Sequence, residues 1–277
     1  MISVLILTKN EEANLPRCLA SVAWSDDIVV LDDGSSDRTV DIARQHGARV
    51  VCHSAGGERA QRMYSLREIT FRYPWVYNPD ADEVTTAELR DEMLRVVADA
   101  SRPEVAYRVR FRNMFMGRWI RHSSLYPTWV MRLFRPDKIS FERTTNLAYK
   151  ADGPVGMLQS HFEHYSFNNG FNAWFEKHNK YSWHEAVETV KYLEGGKIDW
   201  VGLFEFNSPV HRRRALKELS FRLPFRPTLR FFYMYILRRG FLDGVPGLTY
   251  CRLLSIYEHL IVLKMKEIRR REKGLPL

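Results

Sequence analysis

Cysteine is scarce in this chain, with 3 in 277 residues. Cys18, Cys52 and Cys251 stand far apart and form none of the close pairs that a zinc site or a disulfide framework uses, which points to a reducing compartment. Long apolar runs are missing as well: none approaches the roughly 20 residues that a bilayer-crossing helix needs. The opening Met1-Ile2-Ser3-Val4-Leu5-Ile6-Leu7 meets Lys9-Asn10-Glu11-Glu12 too early for the apolar core of a secretory signal. A soluble or peripheral protein is expected. Glycine is absent from Thr8 to Glu12, so the basic, Gly-rich phosphate loop expected after the first strand of a nucleotidyltransferase is not there. No internal repeat or low-complexity segment interrupts the chain.

What is present suffices for a sizeable core, with 45% hydrophobic and 13% aromatic residues. The net charge of +9 is unevenly distributed. Between Arg212 and Lys273 there are 16 Lys and Arg against 5 Asp and Glu, whereas the remainder has 26 against 28 and is nearly neutral. A basic tail of this kind suits an anionic lipid surface, nucleic acid or another acidic partner.

Strands and helices alternate along the first hundred residues. Ile2 to Leu7 reads as a strand buried on both faces. Asn10 offers a helix N-cap, and Leu15, Cys18, Leu19 and Val22 recur at helical spacing. Ile28 to Leu31, Arg49 to Cys52 and Trp75 to Tyr77 repeat the strand pattern, while Thr85 and Glu88 have the spacing of a capping box. An α/β architecture with a largely parallel sheet follows. Ligands of such sheets collect beyond the carboxyl ends of the strands, so Thr8-Lys9-Asn10, Asp32-Asp33-Gly34 and Asp80-Ala81-Asp82 should converge on one edge.

Asp80 and Asp82 are the most informative residues. Alternating acids after a strand can share a hard divalent cation that also grips a diphosphate. A second acidic loop, Asp32-Asp33, aimed at the same crevice strengthens the reading, because clustered carboxylates are costly without an answering cation or donor group.

The segments Ser3 to Glu12, Ile28 to Thr39 and Asp80-Ala81-Asp82-Glu83 resemble those of the family 2 glycosyltransferases with the GT-A fold. More narrowly, they are similar to the bacterial branch that builds lipopolysaccharide cores and exopolysaccharides. Met116 to His122, Met131 to Arg135, Asp152 to Gly156 and His164-Tyr165-Ser166 extend the resemblance over about the first 190 residues. It implies a GT-A, Rossmann-like mixed sheet flanked by helices, a nucleotide-diphosphate sugar donor, Mg²⁺ or Mn²⁺ on Asp80 and Asp82, and inversion at the anomeric carbon. By the same resemblance Thr8, Asn10, Glu11, Asp32 and Asp33 line the nucleotide, and Gln61, Arg62 and Asp80 reach the donor. Inversion also requires a base for the acceptor hydroxyl. The His-Glu pair that usually precedes Asp-Gly-Pro-Val-Gly in this branch falls on Asn146-Leu147, and leucine accepts no proton. Glu142 and Glu163 are the candidate bases instead. Arg118, Arg121 and His122 are candidates for acceptor binding, with His164 as a further group near the acceptor.

The tail mixes Arg222, Arg226 and Arg230 with Phe225, Phe231, Phe232 and Tyr233, a pattern suited to the headgroup boundary of a membrane. The expected organisation is a catalytic domain over residues 1–207 and a helical, basic, membrane-associating region over 208–277. The expected activity is an inverting, metal-dependent sugar transfer at the cytoplasmic face of the bacterial inner membrane. Its acceptor would be a lipid-linked oligosaccharide or a lipopolysaccharide core. A nucleic-acid-binding protein lacks any supporting motif, and a noncatalytic sugar-nucleotide-binding relative has only the missing His-Glu pair in its favour.

Overall fold

The apolar run at the start becomes strand β1 (Ser3–Thr8), buried on both faces as its hydrophobic pattern requires. Beside it lie β2 (Ile28–Asp32), β3 (Arg49–Cys52) and β4 (Val76–Tyr77), parallel to one another in the order β3-β2-β1-β4. Beyond β4 the direction reverses. Strand β8 (Trp129–Phe134) runs antiparallel to both β4 and β6 (Ala106–Phe115), and β11 (Val155–His164) returns parallel to β6. Strand β5 (Glu83–Thr85) pairs antiparallel with β11, and β7 (Arg118–Trp119) folds back on β6. The result is a mixed sheet, all-parallel from β3 to β4, where sequence alternation foretold it, and of mixed direction beyond. A separate hairpin joins β9 (Ile139–Glu142) to β10 (Ala148–Ala151).

The computed structural model describes residues 1–54, 56, 58–142, 148–195, 198–205 and 208–277. Asn146 and Leu147 lie outside the described residues, as do the side chains of Glu142, Arg213 and Arg214.

Helices flank the sheet. Helix α1 (Leu15–Val22) and helix α4 (Ala87–Ala98) pack Leu15, Leu19, Leu89 and Met93 into one core cluster with Val4, Ile6 and Tyr77. Each such fully buried side chain contributes roughly 1.5–3 kcal/mol relative to exposure. Leu5, Val29, Leu31, Val76 and Phe134 form the core of the opposite face. Helix α2 (Thr39–Gln45) follows β2, and α3 (Glu58–Glu68) precedes β4. Two caps differ from expectation. Asn10 does not start a helix: it sits at φ 57°, and its Oδ1 accepts the Ser36 N–H at 2.8 Å, so α1 begins only at Leu15. The capping hydroxyl of α4 belongs to Thr86, one residue after the one anticipated, and accepts the Leu89 N–H at 3.3 Å.

The described chain falls into two compact units, Met1–Trp119 with Leu125–Asn169, and Ile120–Ser124 with Gly170–Leu277. The second is helical. In it α5 (Gly170–Glu194) packs along α9 (Gly244–Glu272) through Ala186, Val190, Ile261 and Met265. Helices α6 (Trp200–Phe204), α7 (Pro209–Ser220) and α8 (Arg226–Phe232) complete it. The division therefore falls before α5 and not at 207/208, because α5 buries its apolar stripe on α9. Among the described residues, no helix is long and apolar enough to cross a membrane.

Candidate active site

The carboxyl ends of β1, β2 and β4 adjoin one another, and the loops that leave them are tied by side-chain hydrogen bonds. Thr8 Oγ1 donates to Asp32 Oδ1 at 3.1 Å, and the Asp33 N–H donates to the Thr8 carbonyl at 2.9 Å. Lys9 Nζ pairs with Asp33 Oδ2 at 3.1 Å. Asp32 also accepts the Ser35 N–H at 2.8 Å and the Ser35 hydroxyl. Glu11 is fastened through its backbone N–H, which donates to Thr39 Oγ1 at 2.8 Å. Asp32 and Asp33 are buried. This stitching prepares a rigid, acidic wall where the first two loops meet.

The third loop reaches the same edge. An isolated parallel bridge links Leu7 to Asp80, which sets the acidic motif directly beside the end of β1. Neighbouring positions of α3 then span both sides. Gln61 Nε2 donates to the Leu31 carbonyl at 2.9 Å, while Arg62 donates to Asn78 Oδ1 at 3.1 Å and pairs with Asp80 Oδ1 at 3.4 Å. The hairpin of β9 and β10 adds Tyr149, whose hydroxyl donates to Asn78 Oδ1 at 2.7 Å and accepts from Arg62.

Around the two aspartates the charges are balanced from within. Buried Arg132, on β8, contacts both oxygens of Asp80 and lies 2.5 Å from Glu83 Oε1. Glu83 Oε2 in turn accepts the Asp80 N–H at 3.1 Å. Burial works against the charge on Asp80, but Arg132 and Arg62 outweigh it and hold the carboxyl below its ordinary range. Burial pushes Glu83 the other way, up to about 7, against the pull of Arg132.

Asp82 faces a different partner. Its Oδ2 lies 3.2 Å from His164 Nε2, and the other ring nitrogen, Nδ1, is 3.0 Å from Asn113 Oδ1. A hydrogen on Nε2 serves the carboxylate, and with Nδ1 donating to the Asn113 oxygen as well the ring carries a positive charge that Asp82 favours. Burial opposes a proton there, yet Asp82, Glu83 and Asp80 overcome it and raise the His164 titration above the histidine norm. A divalent cation can supply the same charge. The donor set of one carboxylate and one oriented imidazole fits such an ion and leaves its remaining positions to phosphate oxygens and water. Among the described residues no group of three or more His, Cys, Asp or Glu side chains is gathered in a preformed metal site.

Not every expected residue joins this cluster. On β11, His164 pairs with Glu83 and Asn113, whereas Glu163 pairs with Val84 and Arg112. Successive strand residues point to opposite faces, so Glu163 lies on the side away from Asp82. There its Oε2 accepts the Tyr165 hydroxyl at 2.7 Å. The backbone of Glu142 pairs with Ala148, next to Tyr149. Arg118 is exposed on β7, and Arg121 and His122 belong to the second unit, where their backbone N–H groups donate to Asp243 at 3.2 and 2.9 Å.

Arg132, Tyr149, Asn78 and Asn113 join the site without a role expected from the sequence, and His164, expected near the acceptor, meets Asp82. One signal was available. An arginine inside the apolar strand Trp129-Val130-Met131-Arg132-Leu133-Phe134 is rarely buried without a paired acid.

Comparison with known proteins agrees with this geometry. The Glycosyl transferase family 2 profile matches residues 3–166. An uncharacterized glycosyltransferase of Rickettsia typhi is 27% identical over 286 residues, covering 99% of this chain and 89% of that protein. The lipopolysaccharide core biosynthesis glycosyltransferase LpsC of Rhizobium meliloti is 25% identical, over 92% of this chain and 90% of its own. Among solved structures, a mannosyltransferase of Pyrobaculum calidifontis in complex with GDP-Man and Mn²⁺ superposes with a TM-score of 0.50, at 14% identity over 95% of this chain and 86% of that one. Its likeness extends to the fold, which is GT-A. With a profile match spanning more than half its length and acidic loops gathered at one sheet edge, the chain belongs to glycosyltransferase family 2 and is a glycosyltransferase.

Proposed function

We propose that this enzyme moves a sugar from a nucleotide-diphosphate donor, with inversion and with a divalent cation, to a lipid-linked glycan at the cytoplasmic face of the bacterial inner membrane. The product would belong to a lipopolysaccharide core or an exopolysaccharide. The observation that carries the reading is the pairing of Asp82 with His164 at the edge where the Thr8, Asp32 and Asp80 loops converge. The likeness to LpsC, a lipopolysaccharide core enzyme, supports the lipopolysaccharide class, and the Mn²⁺ complex of the mannosyltransferase supports the cation.

Asp82 and His164 are the proposed ligands, in place of the Asp80 and Asp82 pair, because the Asp80 oxygens are already taken by Arg132 and Arg62. When bound, Mg²⁺ or Mn²⁺ would neutralise the charge that builds on the departing diphosphate. Thr8, Asn10, Glu11, Asp32 and Asp33 form the nucleotide wall, and Gln61 and Arg62 hold the donor side of the cleft. Tyr149 keeps Arg62 in place. Glu142 is the proposed base for the acceptor hydroxyl, supported by the pairing of its backbone beside Tyr149. Arg118, Arg121 and His122 are proposed to meet acceptor phosphate.

Release of nucleoside diphosphate across a panel of donor sugars, with Mn²⁺ and with EDTA, tests the proposal. Wild type should turn over only with metal. Asp82→Asn and His164→Ala should each lose more than the roughly 10–100-fold typical of an outer-shell partner. Undiminished turnover in EDTA and in Asp82→Asn would overturn the assignment.

A further inference from the structure

The second unit carries a surface that the transfer reaction does not use. From residue 219 to residue 242 the chain has five arginines and no acid. The segment is firmly seated on its inner side. Buried Arg226 pairs with Glu258 at 2.7 Å, Ser255 Oγ donates to the Pro227 carbonyl at 2.9 Å, and Met234 is fully buried. Gly240 approaches so closely that an added Cβ would stand 2.8 Å from the Met234 carbonyl oxygen.

On its outer side the same segment, with Val245 just beyond it, presents large apolar groups to solvent. Phe225 is 80% exposed, Leu237 75% and Val245 68%, with Phe232 and Leu242 beside them in sequence and also exposed. An apolar display of this extent marks an interaction site. Backbone strain accompanies it. Phe225 and Arg239 both hold left-handed conformations, at φ 53° and 62°, which non-glycine residues rarely adopt.

The charges select the partner. A second copy of the chain would bring the cationic patch against itself, which like charge disfavours. Nucleic acid offers no use for exposed Leu237, Leu242 and Val245. An anionic bilayer answers both features, because the apolar tips enter the acyl boundary while Arg238 and Arg239 meet phosphates.

We propose that the surface from Phe225 to Val245 inserts into anionic lipid and seats the enzyme on the membrane. The proposal deepens, and rests on, the reading of a lipid-linked acceptor. Asp243 lies within the platform and binds the backbone of Arg121, His122 and Ser123, so docking would bring that segment to the bilayer with it.

Co-sedimentation with phosphatidylcholine vesicles, with and without phosphatidylglycerol, tests the surface. Wild type should pellet with the anionic vesicles. Phe225→Ser combined with Leu237→Ser should weaken binding by roughly tenfold or more for each apolar group removed. Arg238→Gln with Arg239→Gln should weaken it about thirtyfold at low salt and much less at high salt. Circular dichroism and donor hydrolysis without vesicles should be unchanged in both variants, which separates lost insertion from lost folding. Wild type remaining in the supernatant, variants binding as wild type does, or a wild-type dimer that the Phe225 and Leu237 changes dissociate would each overturn the proposal. Insertion without turnover on any donor would leave the surface standing and refute the reading of function, whereas turnover without insertion would refute the surface alone.

Discussion

Asp243 offers the sharpest test of how the second unit is held together. Its carboxylate is 3% exposed and does not cap α9, whose first turn it precedes. It reaches instead to a distant segment and accepts three successive backbone N–H groups, from Arg121 at 3.2 Å, His122 at 2.9 Å and Ser123 at 2.8 Å, together with the Ser123 hydroxyl at 2.6 Å. Consecutive N–H groups converging on one anion form a backbone nest. Hydrogen bonds to a charged group contribute about 1.5–3 kcal/mol each, and buried donors left without a partner cost about 1–3 kcal/mol each. Water entering the vacated site and the relieved desolvation of the carboxylate offset part of that sum. Asp243→Ala should therefore lower the stability of the chain by about 3–5 kcal/mol. Asp243→Asn retains one accepting oxygen but turns an NH₂ toward N–H donors, and should lose about half as much. Urea unfolding measures the loss, and amide exchange at residues 121–123 locates it. A loss under about 1 kcal/mol for Asp243→Ala, or wild-type amides at 121–123 that exchange as freely as an open loop, would refute the reasoning.

Arg132→Leu should cost about 3–5 kcal/mol by leaving buried Glu83 without its cation and Asp80 with Arg62 alone, and adding Glu83→Gln should restore part of it, because an amide needs no counter-charge; denaturant titration of both variants checks this. Gly156→Ala should destabilise by about 1–3 kcal/mol, since the new Cβ would overlap the ring of buried Tyr107, and thermal unfolding measures the shift. His211 bridges Glu205 and Asp199, the latter at 2.6 Å, and these two carboxylates raise its titration. The bridge therefore contributes fully below the unfolded value of about 6.5 and is lost over the interval in which pH rises from there through the higher folded value. Exchange protection of α6 and α7, corrected for the intrinsic rate, should fall over that interval in wild type and show no such step in His211→Gln.

The half of the sheet that sequence alternation revealed is the half in which β1, β2 and β4 are buried on both faces. Ser3–Thr8 and Ile28–Asp32 have no polar face to disguise them, and their loops follow directly. Strand β6 was harder to read, because Arg108, Arg110 and Arg112 alternate with apolar residues along it and a basic, aromatic segment has several structural solutions. Its neighbours β8 and β11 carry register shifts against it, which local pattern does not encode. The site divides in the same way. Thr8, Asp32, Asp80 and Asp82 are legible because each ends a strand or follows one at short range.

By itself the sequence determined the α/β class, the edge at which the loops meet, the acidic motif and the basic tail, all of which depend on periodicities and residue types within a few positions of one another. Tertiary structure alone decided that Arg132 answers Asp80 from 52 positions away, that His164 turns toward Asp82 while Glu163 turns from it, and that Asp243 fastens a segment 120 positions earlier. These pairings join groups far apart along the chain, and a shift of one residue in strand register would reverse the face each strand side chain occupies.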